Sequence, residues 1–71
     1  MTAAPVMIPA GEVRVGDRLR TRNGLELTVT RIDGTFMGRS DMLAFVEDSD
    51  AQWLKMPALR DGEVELVRRG A

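Results

Sequence analysis

Apolar and polar residues alternate along most of the chain, in short runs separated by turn-forming residues. The clearest alternation runs from Asp17 to Asp33, DRLRTRNGLELTVTRID, on both sides of Asn23-Gly24. An apolar residue at every second position is typical of a β-strand with one buried face, and Asn-Gly between two such runs predicts a hairpin. No segment keeps a 3.6-residue period over three helical turns. The pattern therefore predicts an all-β domain built around this hairpin.

The length of the hairpin loop decides which side chains share the buried face, because directly opposed residues lie on the same side of a sheet. A two-residue turn would mix arginines into the apolar face. A three-residue loop, residues 22–24, places Leu19 opposite Leu27 instead. We therefore predict a type I turn followed by Gly24 in a left-handed bulge.

The second strand of this hairpin changes its apolar parity before it ends. Leu27 and Val29 fall at odd positions, but the next large apolar residue is Ile32. A strand that keeps its core residues on one side must therefore bulge or bend near Thr30-Arg31, as the strands of small barrels do at corners.

A second hairpin is predicted across the turn-forming sequence Asp48-Ser49-Asp50. A four-residue turn would place Val46 opposite Trp53. This register gives one apolar face composed of Leu43, Phe45, Leu54 and Met56, and it leaves Ala44, Val46, Trp53 and Lys55 on the other face. The alternative is a three-residue loop, which would bury Trp53 in the core.

Prolines and glycines mark the remaining boundaries. Pro57 ends the returning strand, and residues 58–62 are long enough for one 3₁₀ turn before a last strand from Glu63 to Arg68. Residues 1–12 form an amino-terminal arm with a short edge strand at most, and residues 13–71 form a single small domain. The arm lacks the basic and long apolar segments of a signal peptide or a membrane span, so a cytoplasmic location is expected.

Four features in this order carry a resemblance: Gly16-Asp17-Arg18-Leu19, Asn23-Gly24, Asp48-Ser49-Asp50, and the stretch from Pro57 to Gly62 before Val64. Over residues 13–68 their arrangement resembles the SH3-like small β-barrel, in the Tudor and KOW variants with a short first loop. The resemblance implies a five-stranded barrel with a 3₁₀ turn before the last strand. Because the chain has no Tyr, neither an aromatic cage nor a proline-binding groove is expected.

The composition excludes several kinds of chemistry. The 71 residues include no Cys and no His, which removes disulfides, thiolate metal sites and histidine-based proton transfer. Glu47, Asp48 and Asp50 lack the glycine and distal glutamate of a calcium loop, and we interpret them as hairpin-turn residues. We expect no metal, no cofactor and no enzymatic activity, because no pairing of the remaining carboxylates, hydroxyls and Lys55 is evident.

The few aromatic residues provide the main functional hypothesis. Trp53 lies on the face opposite the predicted core with Val46 and Lys55, and Phe36-Met37 interrupts a polar, glycine-rich loop. We hypothesise that these residues form an apolar patch that contacts a protein partner or a second copy of the chain. The competing interpretation is that residues 6–8 cover Trp53, and that Phe36-Met37 closes an open end of the barrel.

A row of arginines provides an alternative function. Arg18, Arg20 and Arg22 alternate on one predicted outward face, with Arg31 near them, and such a row can follow the phosphate backbone of a nucleic acid. The competing interpretation is a solvated strand face, because Glu26 and the neighbouring threonines dilute the positive charge. The formal net charge of -1 also argues against general nucleic-acid binding.

Overall fold

The computed structural model describes residues 4–70, which form two antiparallel β-sheets. In chain order the strands are β1 Val6–Pro9, β2 Arg18–Arg20, β3 Glu26–Thr28, β4 Arg31–Asp33, β5 Met42–Asp48, β6 Trp53–Leu59 and β7 Glu63–Arg68. The four-stranded sheet has the order β1-β7-β2-β3, and the three-stranded sheet has the order β4-β5-β6. The predicted all-β class is confirmed. Seven strands are present rather than the predicted five, and within residues 4–70 no strand pairing closes the sheets into a ring.

The first hairpin has the predicted register. Leu19 lies opposite Leu27, and both side chains are fully buried. The Gly24 N–H donates to the Thr21 carbonyl at 3.0 Å, and the Thr21 N–H donates to the Leu25 carbonyl at 2.7 Å. Gly24 has a φ of 87°, which only glycine adopts without strain. The three-residue loop with a left-handed glycine is therefore confirmed.

The predicted bend near Thr30 is the point at which the chain passes from one sheet to the other. β3 belongs to the four-stranded sheet and β4 to the three-stranded sheet. The Thr30 N–H donates to the Val46 carbonyl at 2.7 Å, so Thr30 already joins the second sheet. Ile32 then lies opposite Phe45 and packs against the core. The corner restores the inward direction of the apolar side chains, as their change of parity requires.

The hydrophobic core fills the space between the two sheets. Its buried members are Ile8, Ala10, Val13, Leu19, Leu27, Val29, Leu43, Phe45 and Val64. Complete burial of one large apolar side chain contributes about 1.5–3 kcal/mol, so a core of this size is the main favourable contribution to stability. The amino-terminal arm takes part in it, because β1 pairs with β7 and a single 3₁₀ turn, Ala10–Glu12, follows.

The second hairpin differs from its predicted register by two residues. Trp53 lies opposite Asp48 rather than Val46, and Phe45 lies opposite Met56. The turn is closed by the Ser49 N–H, which donates to the Gln52 carbonyl at 3.1 Å. A shift of two residues preserves the alternation of side chains. The predicted inner face is therefore retained, and the indole stays on the outer face.

Pro57 does not end β6, contrary to the prediction. It lies opposite Ala44 within the strand, and it is tolerated because β6 is an edge strand whose proline nitrogen can point away from the sheet. The predicted 3₁₀ turn over residues 58–62 is also wrong. The Gly62 N–H donates to the Leu59 carbonyl at 2.9 Å, and this tight turn leads directly into β7.

Candidate functional site

The outer face of the three-stranded sheet brings several of the predicted site residues together. Arg31, Val46 and Lys55 are direct neighbours across β4, β5 and β6. Residues two apart on one strand share a face at a spacing of about 6.5 Å, so Trp53 lies next to Lys55 on β6. This face points away from the core.

Trp53 is accessible on this face, with 59% of its surface exposed. The interpretation that residues 6–8 cover the indole is therefore wrong, because β1 pairs with β7 in the other sheet. An exposed tryptophan is a large, rigid contact surface of the kind that dominates protein interfaces.

Phe36 and Met37 lie in a tight turn whose two central residues are Met37 and Gly38. The Phe36 N–H donates to the Arg39 carbonyl at 3.2 Å, and the Arg39 N–H donates back to the Phe36 carbonyl at 2.9 Å. Both central residues have positive φ, 51° at Met37 and 79° at Gly38, as in a type I′ turn. Met37 is 86% exposed. The turn therefore holds a large apolar side chain in solvent, on a backbone conformation that favours asparagine or glycine.

Lys55 connects this turn to the sheet. Its ammonium group lies 5.8 Å from the centroid of the Phe36 ring and 3.4 Å from the Asp33 carboxylate. The first distance is within the range of a cation–π contact. The hydrogen bond from Arg31 lowers the pKa of Asp33, burial opposes this effect, and Lys55 reinforces it. We call Phe36, Met37, Trp53 and Lys55 the outer patch.

Arg60 fixes the loop that carries this turn. Its guanidinium donates to the Ser40 carbonyl at 3.0 Å and also to the Gly34 carbonyl. Arg39 makes a bidentate ion pair with Asp41, at 3.0 and 2.6 Å. The two bonds from Arg60 hold Gly34 and Ser40, which lie on either side of the turn. The backbone that carries Met37 is therefore constrained.

Val46 contributes no accessible surface to the outer patch. It lies on the predicted face, but its side chain is fully buried, as is that of Ala44. Val46 is the central residue of the row that includes Arg31 and Lys55. Its role at this site is to support the residues above it.

The predicted row of arginines is divided and largely neutralised. Arg18 pairs with Glu26 at 2.9 Å, and Arg20 pairs with both Glu26 and Glu65, at 3.0 and 2.6 Å. Arg22 lies in the exposed hairpin loop, outside β2. Arg31 belongs to the other sheet, where it pairs with Asp33. The predicted arginine row is therefore a solvated strand face on which Arg18 and Arg20 form ion pairs.

Glu47 was predicted to be a hairpin-turn residue, but it lies within β5 and is buried. Its carboxylate accepts hydrogen bonds from the Ser49 hydroxyl at 2.6 Å, the Gln52 amide at 2.8 Å and the Thr28 N–H at 2.7 Å. These bonds lower the pKa of Glu47, and burial opposes them only in part. The Gln52 amide also donates to the Glu26 carbonyl at 2.9 Å. Side chains of the second hairpin thus cap the free edge of β3.

Asp17 holds the carboxyl-terminal segment against the turn before β2. Its carboxylate accepts hydrogen bonds from the N–H groups of Arg14 at 3.0 Å and Gly70 at 2.9 Å, and from the Arg69 guanidinium at 3.0 Å. Burial alone raises the pKa of Asp17, but the bonds to Gly70 and Arg14 and the charge of Arg69 outweigh it and lower that pKa. No pattern in the sequence identified the contact with the carboxyl-terminal segment, because Arg69 and Gly70 are 52 and 53 residues from Asp17.

An apolar groove lies apart from the outer patch. It is an open groove of about 560 Å³ between the two sheets, and its apolar lining includes Met7, Met42, Met56, Pro57, Leu59 and Val64. Lys55 is not among its lining residues. Within residues 4–70, no group of three or more acidic side chains is arranged to hold a metal ion.

The strained turn gives a first prediction. Replacing Met37 with asparagine should raise the free energy of unfolding by about 0.5–1 kcal/mol, because asparagine tolerates the left-handed conformation better than methionine. Urea denaturation measures the change. Thr35→Asn, in the same loop and also exposed, is the matched control and should leave stability unchanged. A neutral or destabilising M37N substitution would contradict the strain argument.

The two buried carboxylates predict a loss of stability in acid. Their folded pKa values lie below the ordinary values of 3.8 for Asp17 and 4.5 for Glu47. Their contribution is therefore complete above these ordinary values and is lost as the pH falls through the lower, folded ones. We expect a plateau of stability around neutral pH, since no His titrates there, and a fall below about pH 4.5. Denaturation at a series of pH values tests this, and E47Q should flatten part of the slope.

No protein-family model, curated protein or solved structure matches this chain. Over residues 4–70, none of the secondary structure is a helix with the length and apolar character needed to cross a membrane. The function has to be inferred from the geometry of the site itself.

Proposed function

We propose that the chain is a non-enzymatic binding module of the cytoplasm, which contacts a protein partner or a second copy of itself through the outer patch. The supporting observation is the continuity of that patch. Lys55 lies beside Trp53 on β6 and 5.8 Å from the Phe36 ring, and Met37 follows Phe36 at the tip of the turn. As an architecture we propose the SH3-like small barrel, with β3 and β4 as two halves of one bent strand.

The balance of apolar and charged groups in the patch supports a protein ligand. Trp53 and Met37 are 59% and 86% exposed, and Lys55 is partly neutralised by Asp33. Interface centres are enriched in tryptophan and methionine and poor in free charge. The arginine row offers less support for a nucleic-acid ligand, because Glu26 and Glu65 occupy the guanidinium groups of Arg18 and Arg20.

The conformation of Met37 is further support. A methionine in the left-handed region costs about 1–2 kcal/mol relative to an extended conformation, and Met37 makes no contribution to the core. Strain of this kind persists where the surrounding structure holds it and where it serves a purpose. The exposure of Met37 fits one such purpose, which is contact between its apolar side chain and a partner.

Site-specific photo-crosslinking tests this function. A photoreactive amino acid is placed at Met37 in one variant and at Val15 in the control, since Val15 is also apolar and is 61% exposed in a different turn. The variants are irradiated in cell extract and as purified protein. We expect discrete crosslinked species from position 37 that are absent from position 15, and their loss when Trp53 is replaced with serine. Identical patterns from both positions would contradict the proposal.

A further inference from the structure

We propose that the partner of the outer patch is a second copy of this chain, joined through the free edge of β6 with Trp53 opposite Lys55 of the second copy. This inference rests on the proposed function, because it specifies the ligand of the same patch.

The backbone of β6 alternates between its two sides. The Arg60 N–H donates to the Asp41 carbonyl at 2.8 Å, and the Gln52 carbonyl accepts from Ser49. In an antiparallel pair, every second residue turns both backbone groups to its neighbour. The even-numbered residues of β6 therefore face β5, and the odd-numbered residues face outward. The outward set is Trp53, Lys55, Pro57 and Leu59.

The other strand edges of the described chain are short or capped. β1 and β4 are 4 and 3 residues long, whereas β6 has 7 residues and none of them is buried. The edge of β3 is capped by Glu47 and Gln52. Proteins usually protect long edges from pairing with another chain. On β6, Pro57 removes one outward N–H, and the charge of Lys55 is offset by Asp33 at 3.4 Å. Trp53 and Lys55 keep complete, outward-facing backbone groups.

Three antiparallel two-fold registers are centred on residues 54–56 of β6, and one of the three fits. An axis through Lys55 would set the two lysines opposite each other, a repulsive arrangement. An axis through Met56 would set Lys55 opposite Pro57, which has no N–H to donate. An axis through Leu54 sets Trp53 opposite Lys55 of the second copy, and both residues then exchange their N–H and carbonyl bonds in full.

The side chains in this register are complementary. Directly opposed residues share a face, so the ammonium of each Lys55 meets the indole of the other copy. The Phe36 ring of its own chain lies 5.8 Å from that ammonium, and Asp33 lies 3.4 Å from it. A lysine between two aromatic rings is stabilised by cation–π attraction. Asp33 offsets its charge, so the two copies do not repel. The three-stranded sheets become one continuous sheet across an isologous dimer.

Disulfide trapping tests the register, because the chain has no cysteine of its own. With the axis at Leu54, that residue meets its counterpart in a non-hydrogen-bonded pair, whose Cα separation of about 4.5 Å is within the range of a disulfide. We expect L54C to form a linked dimer under mild oxidation at least about tenfold faster than K55C or M56C. Faster linkage of K55C or M56C would overturn the register.

A second measurement does not depend on a cysteine. K55P removes the outward-facing N–H of residue 55 without removing a hydrogen bond to β5, because Lys55, like Pro57, is an odd-numbered residue of β6. K55A removes only the side chain. Sedimentation equilibrium should show dimerisation of the unmodified chain, weakened by K55A and weakened at least about tenfold more by K55P. A monomer at millimolar concentration, or equal effects of the two variants, would overturn the proposal. A monomer that still crosslinks another protein from position 37 would leave the proposed function intact.

Discussion

Replacing Glu47 with alanine is expected to lower the free energy of unfolding by about 2–4 kcal/mol. Glu47 is only 5% exposed, and its carboxylate accepts bonds from Thr28, Ser49 and Gln52. The substitution leaves these donors without an acceptor. The Thr28 N–H has no neighbouring strand to pair with, since β3 lies at the end of its sheet. Urea denaturation followed by circular dichroism measures the loss.

Two variants serve as controls for Glu47. Asp50→Ala removes an exposed acid from the same hairpin and should change stability by less than about 0.5 kcal/mol. E47Q keeps one acceptor oxygen but turns an amide donor toward other donors, so its loss should be intermediate. A loss below about 1 kcal/mol for Glu47→Ala would mean that water satisfies the three donors, and that the carboxylate does not join the sheets.

Replacing Asp17 with alanine should have an effect of similar size, about 2–4 kcal/mol. Asp17 is 2% exposed, and the substitution orphans the N–H groups of Arg14 and Gly70 while freeing the half-exposed Arg69. The carboxyl-terminal segment loses its attachment to the turn before β2. For a domain of this size the unfolding midpoint should fall by ~10 °C or more.

A substitution on the other side of the same contact tests this account of Asp17. An alanine at Gly70 would place its Cβ 2.6 Å from the carbonyl carbon of Gly16, which is too close for any Cβ, so G70A should also detach the segment. Asp61→Ala, which removes an exposed acid from the turn before β7, is the control and should be neutral. Full stability of G70A would show that residues 69–70 contribute little to the fold.

Local chemistry made the first hairpin predictable. The choice between loop lengths depended on which register buries Leu19 against Leu27, and the hydrophobic effect strongly favours one answer. The positive φ of Gly24 follows from that loop. The corner at Thr30 was equally predictable. Apolar residues that change from odd to even positions stay on one face only if the strand bulges or bends.

The second hairpin was predictable in its faces but not in its register. Shifting Trp53 from Val46 to Asp48 leaves every side chain on its predicted side, so the apolar pattern does not distinguish the two registers. The difference comes from Glu47 and Gln52, whose side chains bond to β3. That contact joins strands of two different sheets, so the alternation of apolar residues within one strand does not predict it.

The outer patch was predictable in part. Trp53 and Phe36 were identified because the predicted registers left them outside the core. Lys55 was placed beside the indole because residues two apart on a strand share a face. The type I′ turn at Met37 was not foreseen, since Met-Gly is not a residue pair associated with that turn. Pro57 was misinterpreted for a related reason, because only the position of β6 at the sheet edge makes the proline acceptable there.

The pairing of β1 with β7 determines when the protein can fold during its synthesis. Residues 6–9 find their partners only after residues 63–66 have left the ribosome, and β7 also supplies the neighbour of β2. The four-stranded sheet therefore lacks a central member until β7 has been synthesised. Until then Ile8 and Leu19 lack the β7 neighbours that help to bury them, and pairing over such a sequence separation is a slow step in folding.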